Sequence, residues 1–238
     1  MKIALINGSP RARSTSGYAL EKLKENLSSK GEIVEFNLIS NPLTVTDVDD
    51  MSDCDAIVIS SPLFFDALPS HVVSALITIE NNLPMFKNSP EVFAISNGGF
   101  TEADNSAKSF SVISNWCRKC GFKWKYGIGI GSGWRLILSK DISLKKIGLN
   151  SNSIIGQIAL TICSFEPKLI SRFRKKGFNN SIKKLAFDIT ESGTSENVYV
   201  RPFFPKSFFL SYIMTNATYF VGLKMNGCKL RDICKKDI

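Results

Sequence analysis

Several features that define other protein classes are scarce or missing in this sequence. Histidine occurs once, at His71, and no second cysteine pair accompanies Cys117 and Cys120, which argues against a zinc site there. No Gly-Lys-Ser or Gly-Lys-Thr triplet is present, which excludes a P-loop for nucleoside triphosphates. The opening apolar run, 1–6, reaches the polar stretch 7–10 too early for a signal peptide. We therefore expect a cytoplasmic chain whose six scattered cysteines are reduced.

Charge is distributed unevenly along the chain. Residues 1–134 hold 12 Lys or Arg against 14 Asp or Glu, a net charge of −2, whereas residues 135–238 hold 18 against 7, a net of +11. The net charge of +9 for the whole chain is therefore a property of its second half, and we expect the two parts to have different roles. Because no nucleic-acid-binding module is recognisable, we expect no nucleic-acid partner.

Short apolar runs alternate with helical patterns through the first half. Leu20, Leu23 and Leu27 recur at helical spacing, and helix patterns also follow the third and fourth runs. This alternation predicts a parallel sheet covered on both faces, with a ligand at the carboxyl ends of the strands. The loops that follow the first, third and fourth strands are therefore the candidates for contacting that ligand. The predicted strands are Lys2–Ile6, Glu32–Leu38, Ala56–Ile59, Val92–Ser96 and Tyr126–Gly131.

The first of these loops, NGSPRARSTSG, spans Asn7 to Gly17. It carries four hydroxyl side chains and two arginines and leads into a helix N-terminus, where free amides and the helix dipole attract anions. An ordinary helix cap needs only one such hydroxyl. The composition therefore favours a phosphate site over a simple cap, and its candidate ligands are Ser9, Arg11, Arg13, Ser14, Thr15 and Ser16.

The second loop, SSPLFFDALPS, spans Ser60 to Ser70. Phe64 and Phe65 lie just past the strand end, where they either stack on a planar ring or fold back over the core. Ser70 has the position of a helix cap. His71 follows it, with a structural first-turn role as the preferred reading and assistance to catalysis as the other.

The third loop, NGGFTEAD, spans Asn97 to Asp104. Its paired glycines, Gly98 and Gly99, permit close approach of the backbone to a ligand. We expect their N–H groups to face the ligand and to stabilise negative charge on it. Asn97 and residues 100–102 add side chains.

Three segments together resemble a known family: IALINGSPR…STS, DAIVISSPLFFDALPSHV and FAISNGGFTEAD…NWC…GFKWKYGIGIGSG. They resemble the flavodoxin-like NAD(P)H-dependent FMN reductases, close to the flavodoxin-family proteins of anaerobic bacteria, over roughly residues 1–135. The resemblance implies the strand order 2-1-3-4-5, bound FMN, use of NAD(P)H and a homodimer. Many family members carry Tyr near position 64, where this chain has Phe.

The same resemblance implies which residues contact FMN. The phosphate would lie on Ser9, Arg11, Ser14, Thr15 and Ser16. The isoalloxazine would rest against Pro62, Leu63, Phe64 and Phe65, with Asn97, Gly98, Gly99 and Phe100 at its other edge. No catalytic side chain and no metal ligand is predicted.

Two conspicuous patterns are better explained by packing. Cys117 and Cys120 continue an apolar helix stripe and lie next to Gly121, at the negative end of the predicted helix, where a thiolate is disfavoured. The run GIGIGSG, Gly127–Gly133, lacks the sixth-position glycine and the following helix of a dinucleotide fingerprint. Its alternate glycines instead predict a strand face left bare for close packing.

The second half, residues 136–238, is predicted to be a basic, mainly helical extension of the FMN-binding domain at residues 1–135. It packs on that domain or on a partner subunit. The basic run Arg172–Lys184 is either a solvated helix face or a contact surface. Ser207–Leu223 holds 17 uncharged residues, several of them polar, whereas a span needs about 20 mostly apolar ones. It therefore packs as a helix or makes weak contact with a membrane surface.

These patterns lead to one preferred function. We expect an FMN-dependent oxidoreductase that takes hydride from NAD(P)H and reduces a quinone, a nitro compound, a flavin or a protein acceptor. A flavodoxin-type electron carrier is the alternative, although carriers usually present an acidic docking face. A module that has lost its cofactor is a third reading, against which the intact phosphate loop argues.

Overall fold

The computed structural model describes residues 1–27, 30–39, 41–99, 102–133, 136 and 168–201, the last range with side chains from residue 175. The chain divides into two compact units: Met1–Ile137 with Arg172–Pro202, and Leu138–Ser171 with Phe203–Ile238. The description below concerns the first unit. The predicted helix or membrane contact at Ser207–Leu223 lies outside the described residues, as does Phe100.

A parallel sheet of six strands forms the centre of the first unit, in the order β2-β1-β3-β4-β5-β6. The predicted order 2-1-3-4-5 is confirmed, and the predicted count of five is wrong by one short edge strand, which pairs with β5. Strands buried on both faces need apolar residues at successive positions, as Ala56–Ile59 shows. The strands are β1 Lys2–Asn7, β2 Glu32–Asn37, β3 Ala56–Pro62, β4 Glu91–Asn97, β5 Lys123–Ile130 and β6 Val198–Val200.

Within the described ranges of this unit, five α-helices with assigned bounds cover the sheet. Helices α2, α3 and α4 pack on one face and α1 and α5 on the other, each with its own cluster of buried apolar side chains. Gly121, with φ of 74°, ends α4 in the left-handed conformation, as predicted. The helices are α1 Thr15–Leu27, α2 Val45–Met51, α3 Ser70–Asn81, α4 Ser106–Cys120 and α5 Lys168–Thr190, with short 3-10 helices at Leu83–Met85 and Ala103–Asn105. None of the helices in the described ranges has the length and apolarity to cross a membrane.

Helix α5 comes from the part of the chain that was predicted to be an extension. One side of it is apolar, and Phe178, Ile182 and Leu185 are buried against the sheet. The Phe178 ring stacks on Tyr18 of α1, with 5.7 Å between centroids. Lys176, Lys183 and Lys184 lie on the opposite, exposed side. The basic run is thus the solvated face of a core helix wherever its side chains are described.

A buried polar contact joins α5 to β5. The Tyr126 hydroxyl donates to Asp188 Oδ2 at 2.9 Å, and the Ser195 hydroxyl donates to the same oxygen at 3.2 Å. Tyr126 and Asp188 are both buried. Burial and the neighbouring carboxylate raise the pKa of Tyr126 because the phenolate would be desolvated beside a negative charge. The network therefore holds α5 in place while satisfying the Asp188 carboxylate.

Candidate functional site

The loop after β1 is folded by its own side chains. Gly8 N–H donates to Ser60 O at 2.8 Å, and Arg11 N–H donates to the Ser9 hydroxyl at 3.2 Å. Ser14 caps α1, since its hydroxyl accepts a hydrogen bond from Gly17 N–H at 3.0 Å. Ser9 and Ser14 therefore shape the loop, whereas the Arg11 side chain is exposed.

The N-terminus of α1 offers donors that suit a phosphate group. The first intrahelical bond runs from Tyr18 N–H to Ser14 O at 2.9 Å, so the amides of Thr15 and Ser16 precede the helix hydrogen-bond pattern. Those amides lie at the N-terminus of α1, which is the positive end of the helix dipole, where anions are stabilised. With Arg11 and Arg13 exposed on the preceding loop, this donor set fits a phosphate monoester.

Buried hydrogen bonds connect α1 to the carboxyl ends of β3 and β4. Asn97 Nδ2 donates to the Ser16 hydroxyl at 2.7 Å and to Ser61 O at 3.1 Å. The Ser60 hydroxyl donates to Ser16 O at 3.1 Å. The structure thus brings the three predicted loops together. It directs the Asn97 amide toward α1 and β3, while the predicted contact of Asn97 with a ring edge stays a prediction.

A fourth segment, Gly131–Gly133 after β5, belongs to the same edge and was not predicted. Gly133 N–H donates to Gly98 O at 3.0 Å, and Gly98 N–H donates to Ile130 O at 2.9 Å. The expectation that Gly98 N–H faces the ligand is therefore wrong, because β5 accepts its hydrogen. A Cβ at Gly133 would lie 2.9 Å from Thr15 Cγ2 and 3.0 Å from Asn97 Cβ. This close approach requires glycine.

The loop after β3 forms a tight hairpin with an unusual backbone. Phe64 and Ala67 exchange hydrogen bonds of 3.0 and 3.1 Å, and the two residues between them, Phe65 and Asp66, have φ of 50° and 61°. Two positive φ values are the pattern of a type I′ turn, which favours Asn and Gly and is strained for Phe. Phe65 is 105% exposed and Phe64 is 49% exposed. They do not cover the core, so the stacking interpretation is the one that the geometry favours.

The remaining edge of the site lies after β4. Gly99 is exposed, and a Cβ added there would meet no atom within 4 Å. A side chain at position 99 would therefore start without a close described neighbour. Phe100 and the next residue lie outside the described part of the chain, and Glu102 is exposed.

The Cys-x-x-Cys pair is not part of this site. Cys117 is buried in the core and Cys120 packs against it. Burial raises the pKa of the Cys117 thiol to about 12 and that of Cys120 to about 11. The prediction that both are packing thiols is confirmed. The glycine run is also explained, since Gly127 lies against the Phe110 ring and Gly129 against Ala103 O.

Two small cavities lie away from the carboxyl edge. One, of about 200 Å³, adjoins Cys120 and Phe122 at the amino ends of β4 and β5. The other, of about 270 Å³, lies between α1 and α5. No residue of the first loop lines either cavity. The candidate site is therefore located at the first loop because of its hydrogen-bond donors, and not at a cavity. Among the described residues, no cluster of three or more His, Cys, Asp or Glu side chains could hold a metal ion.

A doubly wound parallel sheet in the order 2-1-3-4-5, with a loop rich in hydroxyls and arginines after β1 and an aromatic hairpin after β3, defines a flavodoxin-like α/β protein. Residues 1–110 match the family model described as NADPH-dependent FMN reductase. The resemblance to that family is thereby confirmed over this part of the chain. No curated protein matches the sequence.

Three solved structures illustrate the similarity of this chain to known folds. Rubredoxin oxygen:oxidoreductase from Desulfovibrio gigas is 20% identical with a TM-score of 0.42, over 52% of this chain and 28% of that one. NAD(P)H:quinone oxidoreductase from Methanothermobacter marburgensis is 17% identical with a TM-score of 0.42, over 52% and 81%. A flavodoxin from the domain Archaea is 12% identical with a TM-score of 0.47, over 81% and 98%.

Proposed function

We propose that this protein is an FMN-dependent oxidoreductase that takes hydride from NAD(P)H and reduces a quinone, a nitro compound, a flavin or a protein acceptor. The observation that carries the proposal is the N-terminus of α1. Its Thr15 and Ser16 amides, beside exposed Arg11 and Arg13, form a phosphate site in a segment that matches the FMN reductase family.

The residues present fit FMN at both of its ends. The amides of Thr15 and Ser16 hold the phosphate, and the exposed hairpin rings of Phe64 and Phe65 provide an apolar surface for the isoalloxazine. Gly99, which is exposed after β4, lies at the opposite edge of the ring in this proposal. When bound, FMN supplies the hydride and electron chemistry, and this chain binds and orients it.

Acid–base catalysis by a side chain is not needed in this proposal. His71, the single histidine, is engaged with the first loop, and the described cysteine thiols have raised pKa values because they are buried. Specificity for the acceptor then depends on the shape of the opening between the hairpin and the loop after β4. Phe64 lacks the hydroxyl that Tyr supplies in many family members, so the side chain at that position donates no hydrogen bond.

A homodimer, implied by the family resemblance, is part of the same proposal. Val73 and Ile77 lie one helical turn apart on the solvent side of α3 and are 37% and 50% exposed. Val112 of α4 is 50% exposed. Light scattering coupled to gel filtration measures the oligomeric state directly, and a monomer at all concentrations contradicts this part.

Anaerobic addition of NADPH or NADH to the FMN-loaded protein tests the function. Bleaching of the visible flavin band by a nicotinamide supports the reductase, and the faster donor identifies the physiological one. A band that bleaches only with dithionite supports the electron carrier instead. A protein that retains no flavin contradicts both.

A further inference from the structure

The single histidine contacts the backbone of the phosphate loop. His71 lies in the first turn of α3, and its Nε2 is 2.8 Å from Gly8 O, across 63 residues of sequence. A carbonyl oxygen only accepts hydrogen bonds, so Nε2 is the donor. The contact joins the helix that follows the aromatic hairpin to the loop that leads into α1.

Gly8 is held from two further directions. Its N–H donates to Ser60 O at 2.8 Å. A Cβ at position 8 would lie 2.6 Å from Val72 Cγ2 and 3.1 Å from Ser61 Cβ, so this peptide fits closely against β3 and α3. The residues that fix Gly8 therefore flank the hairpin, with Ser60 and Ser61 before it and His71 and Val72 after it.

The His71 side chain is not needed to cap its own helix. Ser70 was predicted to cap α3, but the helix begins at Ser70 and Pro69 occupies the cap position, without any side-chain cap bond. His71 is only half-buried and is outside the two apolar clusters. Its one described hydrogen bond is directed at the loop.

We propose that His71 is a positioning residue that keeps the loop at 8–17 in the shape that binds a phosphate group. This inference rests on the proposed function, in which that phosphate belongs to FMN. The hydrogen bond to Gly8 O restricts the loop before the ligand arrives, so less ordering is required on binding. Riboflavin, which has no phosphate, does not benefit from this restriction.

Two substitutions of similar length separate the hydrogen bond from the packing. His71→Met keeps the bulk and removes the donor, whereas His71→Gln places an amide N–H₂ within similar reach. Ser74→Ala, on the exposed side of α3, is the control. Dissociation constants for FMN and riboflavin are measured by fluorescence quenching, and amide hydrogen exchange is measured for residues 8–17 without any flavin.

We expect H71M to weaken FMN binding about tenfold and leave riboflavin binding unchanged, because one hydrogen bond that preorganises the loop is lost. H71Q stays close to the wild type, and exchange in residues 8–17 is faster in H71M alone. Equal weakening of FMN and riboflavin, or unchanged FMN binding in H71M, overturns the positioning role.

If the wild type binds no FMN, the proposed function fails, and hydrogen exchange alone decides whether His71 orders the loop. Faster exchange in H71M, restored in H71Q, then supports the ordering role, and unchanged exchange overturns it.

Discussion

Asn97, at the end of β4, donates a 2.7 Å hydrogen bond to the hydroxyl of Ser16 in the first turn of α1, 81 residues earlier in the chain. Both residues are buried, and the same Asn97 nitrogen also donates to Ser61 O. One side-chain amide thus connects α1, whose N-terminus is the proposed phosphate site, to two strand ends. The geometry of the candidate site depends on this buried contact.

Asn97→Asp tests that dependence. The substitution removes both donors and places a carboxylate against Ser61 O, so we expect the free energy of unfolding to fall by about 3 kcal/mol. Ser16→Ala leaves the bond to Ser61 O and is expected to cost about 1 kcal/mol. Urea denaturation measures both values, and an N97D variant as stable as the wild type contradicts the role of Asn97.

Replacement of Phe65 in the hairpin should have opposite effects on stability and on FMN binding. Phe65→Asn relieves the positive φ of 50° and is expected to raise the free energy of unfolding by about 1 kcal/mol while weakening FMN binding. Phe187→Asn, on the exposed side of α5, is the matched control and should not stabilise the protein. Thermal unfolding and an FMN titration measure the two effects. Unchanged FMN binding in F65N would remove Phe65 from the site.

Substitution of glycine by alanine should lower the free energy of unfolding at position 133 and raise it at position 177. Gly133→Ala adds a Cβ at 2.9 Å from Thr15 Cγ2, so we expect a loss of about 2 kcal/mol and weaker FMN binding. Gly177→Ala adds a Cβ that meets nothing within 4 Å in α5, so we expect a gain of about 0.5–1 kcal/mol. Denaturation curves of the two variants decide, and a G133A variant with normal stability contradicts the close packing at this edge.

Stability should fall at alkaline pH. Burial raises the pKa of Cys54 and Cys117 to about 12, and burial and Asp188 raise the pKa of Tyr126. In the unfolded chain these groups ionise near their ordinary values of about 8.5 and 10. The contribution of these neutral groups to the free energy of unfolding is therefore complete below about pH 8.5. It is lost as the pH rises toward their pKa values in the folded protein.

The free energy of unfolding, measured by urea denaturation between pH 7 and pH 11, checks this sign. Cys117→Ala combined with Tyr126→Phe should reduce the alkaline decline. The same decline in this double variant as in the wild type would show that other groups cause it.

The sequence predicted the parts of the fold that local patterns encode. Buried strands such as Ala56–Ile59 and the loop composition after β1 are legible from neighbouring residues. A helix face was one reading of the basic run, but the packing of α5 on the sheet was not predicted. The reason is that 37 residues, 131–167, separate α5 from β5, and its lysines obscure the apolar stripe of Phe178, Ile182 and Leu185. Helix α2 was also missed, although Thr44 and Asp47 form a capping box that signals its start.

The candidate site was predictable only in outline. Hydroxyls and arginines indicated the proposed phosphate loop. Phe64 and Phe65 indicated a ring-stacking loop after the third strand, but its hairpin turn was not predicted. The partners of Asn97, Gly98 and His71 depend on contacts between residues 32 to 81 positions apart, which spacing in the sequence does not encode. Gly131–Gly133 reaches the site through the same kind of long-range packing.

The most direct test of the account is FMN retention through gel filtration, compared between wild type, Arg11→Glu and Lys87→Glu. Arg11 lies on the phosphate loop, whereas the exposed Lys87 lies near the amino ends of the strands, so the two variants change charge equally at different places. The account predicts stoichiometric FMN in the wild type and in K87E, and a marked loss in R11E without loss of fold. No retained FMN in the wild type, or equal retention in R11E, would contradict an FMN site at the N-terminus of α1.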